Sequence, residues 1–210
     1  MLLRNFPISD SGIENIPWEK REKVFLYLGI LSVKRGIEQI AALGRFLDEH
    51  KEFGYKIRVF CEFVPGEEKK LESLLAQISP ETLELNRYFI DHKEALREIE
   101  NSKFGIAFFT RYFFAQVENT TANKIFEYML HGAIPLVTAV PGMDEYISHL
   151  ETGVLLPAER EAEEIMKMLP LLERDGQAIS DAGRKSAQDN FLWDIEKERL
   201  IKYFETLNIS

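Results

Sequence analysis

The segment NKIFEYMLH, residues 123–131, has helical periodicity and carries side chains that could bind a ligand. Four polar side chains share one sector of the predicted helix, about 100° wide; they are Lys124, Glu127, Tyr128 and His131. An ammonium group can bind a phosphate, and a carboxylate can accept hydrogen bonds from both hydroxyls of a diol such as that of ribose. The alternative is that this face is solvated while the opposite, apolar face covers a sheet.

A second candidate site is a pair of cations at the predicted start of the first helix, in GILSVKRG, residues 29–36. Lys34 and Arg35 are bracketed there by Gly29 and Gly36. A helix N-terminus with two cations favours an anion such as a diphosphate. The glycine spacing is neither a dinucleotide fingerprint nor a Walker loop. The alternative is a pair of solvated surface cations.

The segment ENTTANK, residues 118–124, leads into the helix described first. Thr120 and Thr121 are candidate N-caps of that helix. Free backbone amides beside Lys124 would also suit a phosphate or a sugar hydroxyl. His92 lies in a predicted loop, and no pair of histidines has the spacing of metal ligands. We therefore predict no metal site.

Apolar strands alternate with amphipathic helices along residues 21–190. This pattern predicts an α/β fold, a Rossmann-like doubly wound parallel sheet flanked by helices. Ligands bind such sheets at the carboxyl ends of the strands, and the segments above follow predicted strands. Residues 1–20 are interpreted as a hinge or linker. Residues 191–210 are interpreted as a C-terminal helix, the end of a helical tail that starts near Ala158.

The composition excludes several classes of function. A formal net charge of -9 argues against nucleic acid as the main partner. The single cysteine, Cys61, excludes an intramolecular disulfide and a cysteine-rich zinc site. The sequence contains no run of about 18 apolar residues of the kind that spans a membrane, and the N-terminus is too short and too polar for a signal peptide. The cytoplasm is therefore the expected compartment.

Residues 123–157, NKIFEYMLHGAIPLVTAVPGMDEYISHLETGVLLP, resemble the donor-binding half of retaining GT-B glycosyltransferases of the bacterial group 1 class. The family pattern is NK-x-FEYM-x-x-G-x-P, then two aliphatic residues, an E-(I/Y)-I segment and G-x-L. Residues 25–43, FLYLGILSVKRGIEQIAAL, are similar to the family's first strand, glycine turn and helix start. The RNFP near the N-terminus is similar to the segment that leads out of the interdomain hinge.

The resemblance implies roles for several of these residues. Glu127 would hold the ribose of a nucleotide sugar, and Arg35 would bind its diphosphate. The nucleobase would lie at the turn formed by Ile90, Asp91 and His92. The backbone of the loop that ends at Asn123 would face the donor sugar and the phosphates. The implied nucleotide-sugar site, to which no catalytic residue is assigned, comprises Gly29, Lys34, Arg35, Asn119, Thr120, Thr121, Asn123, Lys124 and Glu127.

The sequence departs from the family pattern at two positions of this site. The first glutamate of the family's E-x7-E motif, eight positions before Glu127, is Asn119 here. The arginine that follows the first glycine is Ile30, so one of two phosphate cations is missing. Lys34 or Lys124 would have to compensate for that loss.

The resemblance implies a hexosyl-transferring enzyme of bacterial polysaccharide or glycan biosynthesis that uses a UDP-sugar or GDP-sugar and no metal. A complete enzyme has two Rossmann-like domains, whereas this chain starts at the hinge. We therefore expect a separate donor domain or one subunit of a split enzyme, inactive without its N-terminal acceptor domain. The whole enzyme would associate with the inner face of the membrane. The last helix would present Trp193, Ile201 and Phe204 as partly exposed apolar surface.

Three other functions are compatible with the sequence. A non-catalytic nucleotide-sugar-binding or regulatory module would use the same pocket, and the loss of the first glutamate mildly favours it. A GT-B-like nucleotide-sugar 2-epimerase would need both domains and catalytic acids that we cannot place. A Rossmann-like interaction domain without a ligand predicts no nucleotide binding at all.

Overall fold

A computed structural model describes residues 6–8, 16–111 and 122–206 of the chain. The strands in these residues are β1 Glu22–Leu28, β2 Lys56–Phe60, β3 Leu83–Asn86, β4 Ser102–Ala107, β5 Ile134–Thr138 and β6 Val154–Leu156. The helices in these residues are α1 Ile37–Glu49, α2 Glu68–Leu75, α3 His92–Asn101, α4 Asn123–Leu130, α5 Glu161–Asn190 and α6 Trp193–Thr206.

The six described strands form one parallel sheet in the order β3-β2-β1-β4-β5-β6. The chain moves outward from β1 to β3, returns to the centre for β4 and then moves outward in the other direction. Two neighbouring strands therefore send their chains to opposite sides, which creates a crevice between the carboxyl ends of β1 and β4. The prediction of a doubly wound, Rossmann-like parallel sheet is confirmed.

Helices cover both faces of the sheet, which explains why β4 and β5 are buried along their whole length. On one face, α1 and α5 pack together over the sheet. On the other face, α3 and α4 pack on the central strands. Alternate residues of β1 supply the two cores: Phe25 and Tyr27 belong to the first, and Val24 and Leu26 to the second.

The C-terminal half of the polar sector of α4 is buried, so the alternative of a solvated polar face is wrong for Tyr128 and His131. The Tyr128 ring lies against Gly105 on β4, where a Cβ atom would stand 2.3 Å from the ring. His131 is 2% exposed, and its Nδ1 lies 3.0 Å from a carboxylate oxygen of Glu100. Both side chains lie against polar groups of the sheet and of α3. Their polar atoms therefore form hydrogen bonds within the protein and do not need water.

The predicted helical tail is two helices, because the chain bends at Phe191 and Leu192 between α5 and α6. The Phe191 ring packs there with the rings of Phe6 and Phe126. Phe6 and Trp18, both in the segment interpreted as a hinge or linker, are buried.

The last helix carries exposed apolar side chains, as the sequence predicted. Ile201 and Phe204 are each 48% exposed, and Trp193 is half-buried. Within the described part of the chain, none of the helices has the length and apolar character that a membrane crossing requires.

Candidate nucleotide-binding site

A lysine of α4 reaches over the end of β1 at the crevice between β1 and β4. The Lys124 amine lies 3.9 Å from the centroid of the Tyr27 ring and donates a hydrogen bond of 3.2 Å to the carbonyl oxygen of Leu28. The Tyr27 hydroxyl donates in turn to the carbonyl oxygen of Ile30 at 2.6 Å. The amine is therefore held by an aromatic face and a backbone dipole at the position where ligands enter this class of sheet.

The Lys124 amine is half-buried beside a second cation, which changes its acidity. Burial, and after it the Arg35 guanidinium, lowers the pKa of Lys124 to about 7. Burial also raises the pKa of the Tyr27 hydroxyl, whereas nearby Arg35 lowers it. Two cationic side chains from different elements thus lie beside one tyrosine, Lys124 over its ring and Arg35 near its hydroxyl. An anion placed there would relieve their repulsion and favour the charged form of the lysine.

The turn before α1 positions Arg35. Val33–Arg35 forms a single 3-10 turn, and Gly36 follows it in the left-handed conformation with φ 75°. A Cβ atom on Gly36 would stand 2.3 Å from the Cβ of Phe108, so only glycine allows this approach to the end of β4. The carbonyl oxygen of Lys34 accepts a hydrogen bond of 3.0 Å from the Thr110 amide, while the Lys34 side chain is exposed.

The structure brings Glu127 and His92 together at the other side of the crevice. His92 Nε2 lies 3.2 Å from Glu127 Oε1, and the Glu127 side chain is 24% exposed. Asp91 caps α3, because its carboxylate accepts from the Glu94 amide at 2.9 Å. The predicted nucleobase turn is thus the start of a helix, and Asp91 is used there for capping. Ile90 packs against the core beneath α3.

The remaining predicted site residues have different positions. Gly29 follows β1 with φ 115°, and its amide donates to the carbonyl oxygen of Phe60 at 3.0 Å. Asn123 is the exposed first residue of α4. The prediction that a threonine caps α4 is wrong, because Ala122 occupies the N-cap position. Asn119, Thr120 and Thr121 lie outside the described residues.

A cavity of about 600 Å³ lies next to this crevice, on the face of the sheet that carries α1 and α5. It is lined by Val33, Lys34, Gln39, Phe109, Thr110 and Glu161, among other residues. Glu161 is 1% exposed and is the first residue of α5. The sequence did not point to Glu161, because it is one of several glutamates in the run EREAEE. It did not point to Tyr27 either, although a hydroxyl-bearing ring near the end of an aliphatic strand was a usable signal.

No family model and no curated protein matches the chain, whereas several solved structures do. The structure of the C-terminal domain of a group 1 family glycosyl transferase, LpcC from Francisella tularensis, superimposes with a TM-score of 0.64 at 15% identity. That match covers 90% of this chain and 96% of the LpcC domain. The chain has the fold of the C-terminal domain of a group 1 glycosyltransferase.

Two longer chains contain a region of the same fold. TarM matches with a TM-score of 0.70 at 14% identity, over 98% of this chain and 38% of TarM. The pneumococcal O-GlcNAc transferase GtfA, solved in complex with UDP and GlcNAc, matches with a TM-score of 0.71 at 14% identity, over 98% of this chain and 39% of GtfA. The present chain therefore spans about two fifths of the length of these two chains.

Cations and hydrogen-bonding groups dominate the crevice between β1 and β4. Among the described residues, no group of three or more His, Cys, Asp or Glu side chains is placed to hold a metal ion. The arrangement suits a ligand with an anionic centre, near Lys124 and Arg35, and a hydroxyl-bearing part near Glu127.

Proposed function

We propose that this chain is the nucleotide-sugar-binding domain of a retaining glycosyltransferase. The observation that carries the proposal is the convergence of two cations at Tyr27: Lys124 from α4 over the ring, and Arg35 from the turn before α1 near the hydroxyl. A diphosphate is the anion that fits two adjacent cations at the crevice of a doubly wound sheet. Glu127, at the same crevice, would accept hydrogen bonds from the ribose diol, with His92 beside it at the nucleobase.

The site would contribute to catalysis by stabilising the leaving group. When the glycosidic bond to the donor breaks, negative charge develops on the diphosphate. Cations that are already in place at that charge lower the barrier without reorganisation. Lys124 and Arg35 would do this here, and the proposal requires no metal. The donor would be a UDP-sugar or a GDP-sugar, and the transferred group a hexose.

Transfer would need a second domain that binds the acceptor. The chain covers 38% of TarM and 39% of GtfA, which supports this part of the proposal. The whole enzyme would act in bacterial polysaccharide or glycan biosynthesis, in the cytoplasm at the inner face of the membrane. The domain alone would bind the donor and would not transfer the sugar.

Calorimetric titration with UDP, GDP and ADP tests the proposal. We expect one of the three to bind, and Glu127→Ala to weaken that binding by about tenfold through loss of the ribose contact. Glu163→Ala, a change of an exposed glutamate on α5, is the matched control and should leave the affinity unchanged. If none of the three binds to the folded wild-type chain, the proposal is wrong.

A non-catalytic nucleotide-sugar-binding or regulatory module is the second candidate. It is favoured by the departure at Asn119, where the family pattern has its first glutamate. Both candidates predict nucleotide binding. They differ in turnover, so the whole protein with its acceptor-binding half would release nucleoside diphosphate from the sugar donor only if it is an enzyme.

A further inference from the structure

The Lys124 amine has a second cation as its neighbour. The amine lies 3.9 Å from the centroid of the Tyr27 ring and donates to the carbonyl oxygen of Leu28 at 3.2 Å. The Arg35 guanidinium lies near the hydroxyl of the same tyrosine. Among the residues that the structure describes, no carboxylate forms an ion pair with this amine. Any change that removes the positive charge of the lysine therefore relieves a repulsion.

These surroundings favour the neutral form of the amine, which is its nucleophilic form. Burial and the Arg35 charge lower the pKa of Lys124 to about 7. At pH 7.4 the amine is then uncharged in more than half of the molecules, whereas a lysine with the ordinary pKa of 10.5 is uncharged in about one molecule in a thousand. Lysines that are desolvated or that adjoin another cation are the ones that proteins use as nucleophiles. Lys124 therefore differs in reactivity from the exposed Lys34.

The electrophile that suits this position is small, uncharged and converted into an anion. Carbon dioxide meets all three requirements. The lone pair of the amine forms a bond to the carbon atom, one C=O π bond becomes a negatively charged C–O group, and the nitrogen loses one proton to the solvent. The product is a carbamate that keeps one N–H, from which the Leu28 carbonyl oxygen can still accept. Its planar, carboxylate-like end matches the guanidinium fork of Arg35.

We propose that Lys124 is a site of reversible modification by carbon dioxide, and that the Arg35 guanidinium holds the resulting carbamate. The modification replaces the repulsion between two cations by an attraction between opposite charges. It also puts a negative charge where a diphosphate would bind, so carbon dioxide and a nucleotide would exclude each other. This exclusion rests on the proposed function, whereas the modification itself does not.

Carbon-13 NMR of the whole chain in labelled bicarbonate at pH 7.4 tests the modification. We expect a carbamate signal that Lys124→Arg abolishes and that Lys34→Arg retains. The terminal amine of the chain also forms a carbamate, which gives a background signal common to all variants. Trapping with a trialkyloxonium salt, followed by peptide mass spectrometry, should locate the modification at Lys124. The proposal is refuted if a folded Lys124→Arg gives the same carbamate signals as the wild type, or if the trapped group is spread evenly over the lysines.

The variant Arg35→Met tests the partner of the carbamate. We expect the occupancy of the Lys124 carbamate to fall about fivefold, because the amine keeps its proton more readily and the anion loses its pair. The matched control is Arg45→Met, which alters an exposed arginine on α1 and should leave the occupancy unchanged. Full occupancy in Arg35→Met would overturn the pairing with Arg35.

Competition with nucleotides separates this proposal from the proposed function. UDP, GDP and ADP are added in turn to the labelled wild type, and the nucleotide that binds should remove the Lys124 signal. If none of them binds while the Lys124 signal is present, the proposed function is wrong and the carbamate site stands. If a nucleotide binds and the Lys124 signal is unchanged at saturation, the mutual exclusion is refuted.

Discussion

The amine of Lys124 lies 3.9 Å from the centroid of the Tyr27 ring, so a cation on α4 is held at the end of β1. Ile30, which replaces the arginine of the related family pattern, follows that strand end by two residues. The sequence left open whether Lys34 or Lys124 compensates for the missing arginine. The exposed side chain of Lys34 and the inward reach of Lys124 favour Lys124.

Nucleotide affinity should depend on pH through Lys124. Its pKa is lowered to about 7 by burial and by Arg35, so the free protein loses this charge as the pH rises above 7. A bound diphosphate would stabilise the charged form, and binding above pH 7 would therefore take up a proton. We expect affinity to fall by up to about tenfold per pH unit above pH 7. Calorimetry in buffers of different ionisation enthalpy measures the proton uptake.

Two variants of Lys124 and one of Lys34 serve as controls for that pH dependence. Lys124→Met should bind weakly with a flat profile above pH 7, and Lys124→Arg should bind with a flat profile because arginine stays charged. Lys34→Met should keep the wild-type slope. An unchanged slope in Lys124→Met would show that another group titrates.

The same lowered pKa should make the ligand-free protein more stable as the pH rises. Between about 7 and the ordinary value of 10.5, the unfolded chain binds the proton that the folded chain has lost. Stability rises with pH wherever the unfolded state binds more protons, so this contribution grows from pH 7 towards pH 10.5. Urea unfolding of wild type and Lys124→Met at pH 7 and 9 measures this contribution of Lys124 to the free energy of unfolding. A stability difference between the two proteins that does not change with pH would contradict the assignment.

Ile30→Arg should increase the affinity for a nucleoside diphosphate. Ile30 is 41% exposed, so the longer side chain can be accommodated. A third cation beside Lys124 and Arg35 would add a charge-assisted hydrogen bond, and we expect a gain of about tenfold. Calorimetry with the nucleotide that binds the wild type measures it, with Ile8→Arg on the exposed Ile8 as a control for net charge. Equal gains in both variants would indicate a non-specific charge effect.

His131→Ala should destabilise the fold and spare the nucleotide site. His131 Nδ1 lies 3.0 Å from Glu100 Oε1 in a buried pair at the end of α4 remote from Lys124. Loss of a buried hydrogen bond to a carboxylate costs about 2 kcal/mol, which urea unfolding can measure. His50→Ala, at an exposed pair with Glu52, is the matched control and should change stability little. A tenfold loss of nucleotide affinity in His131→Ala would show that the two ends of α4 are coupled.

Much of the fold and part of the candidate site follow from local sequence patterns. The strands, the order of elements and the crevice are predictable because apolar runs and helical periods are local properties. Lys124 and Glu127 could be placed at the crevice because parallel strands all end at one edge. The burial of Tyr128 and His131 could not be predicted in this way. It depends on Gly105 and Glu100, which lie far away in sequence and come close only in the folded sheet.

Glu161 is another residue whose burial could not be predicted from the sequence. Its neighbours Glu159, Glu163 and Glu164 belong to one run of charges, and nothing in residue type distinguishes the buried member. What sets it apart is the hydroxyl of Thr138 at the end of β5. Only the three-dimensional arrangement reveals which charge of such a run points inward.

The close approach of Gly36 to Phe108, together with the hydrogen bond from Thr110 to Lys34, locks the turn after β1 to the turn after β4. The two turns therefore form one unit at the carboxyl edge of the sheet. Since Arg35 and Thr110 both belong to this unit, a change that displaces one turn would be felt on both sides of the crevice.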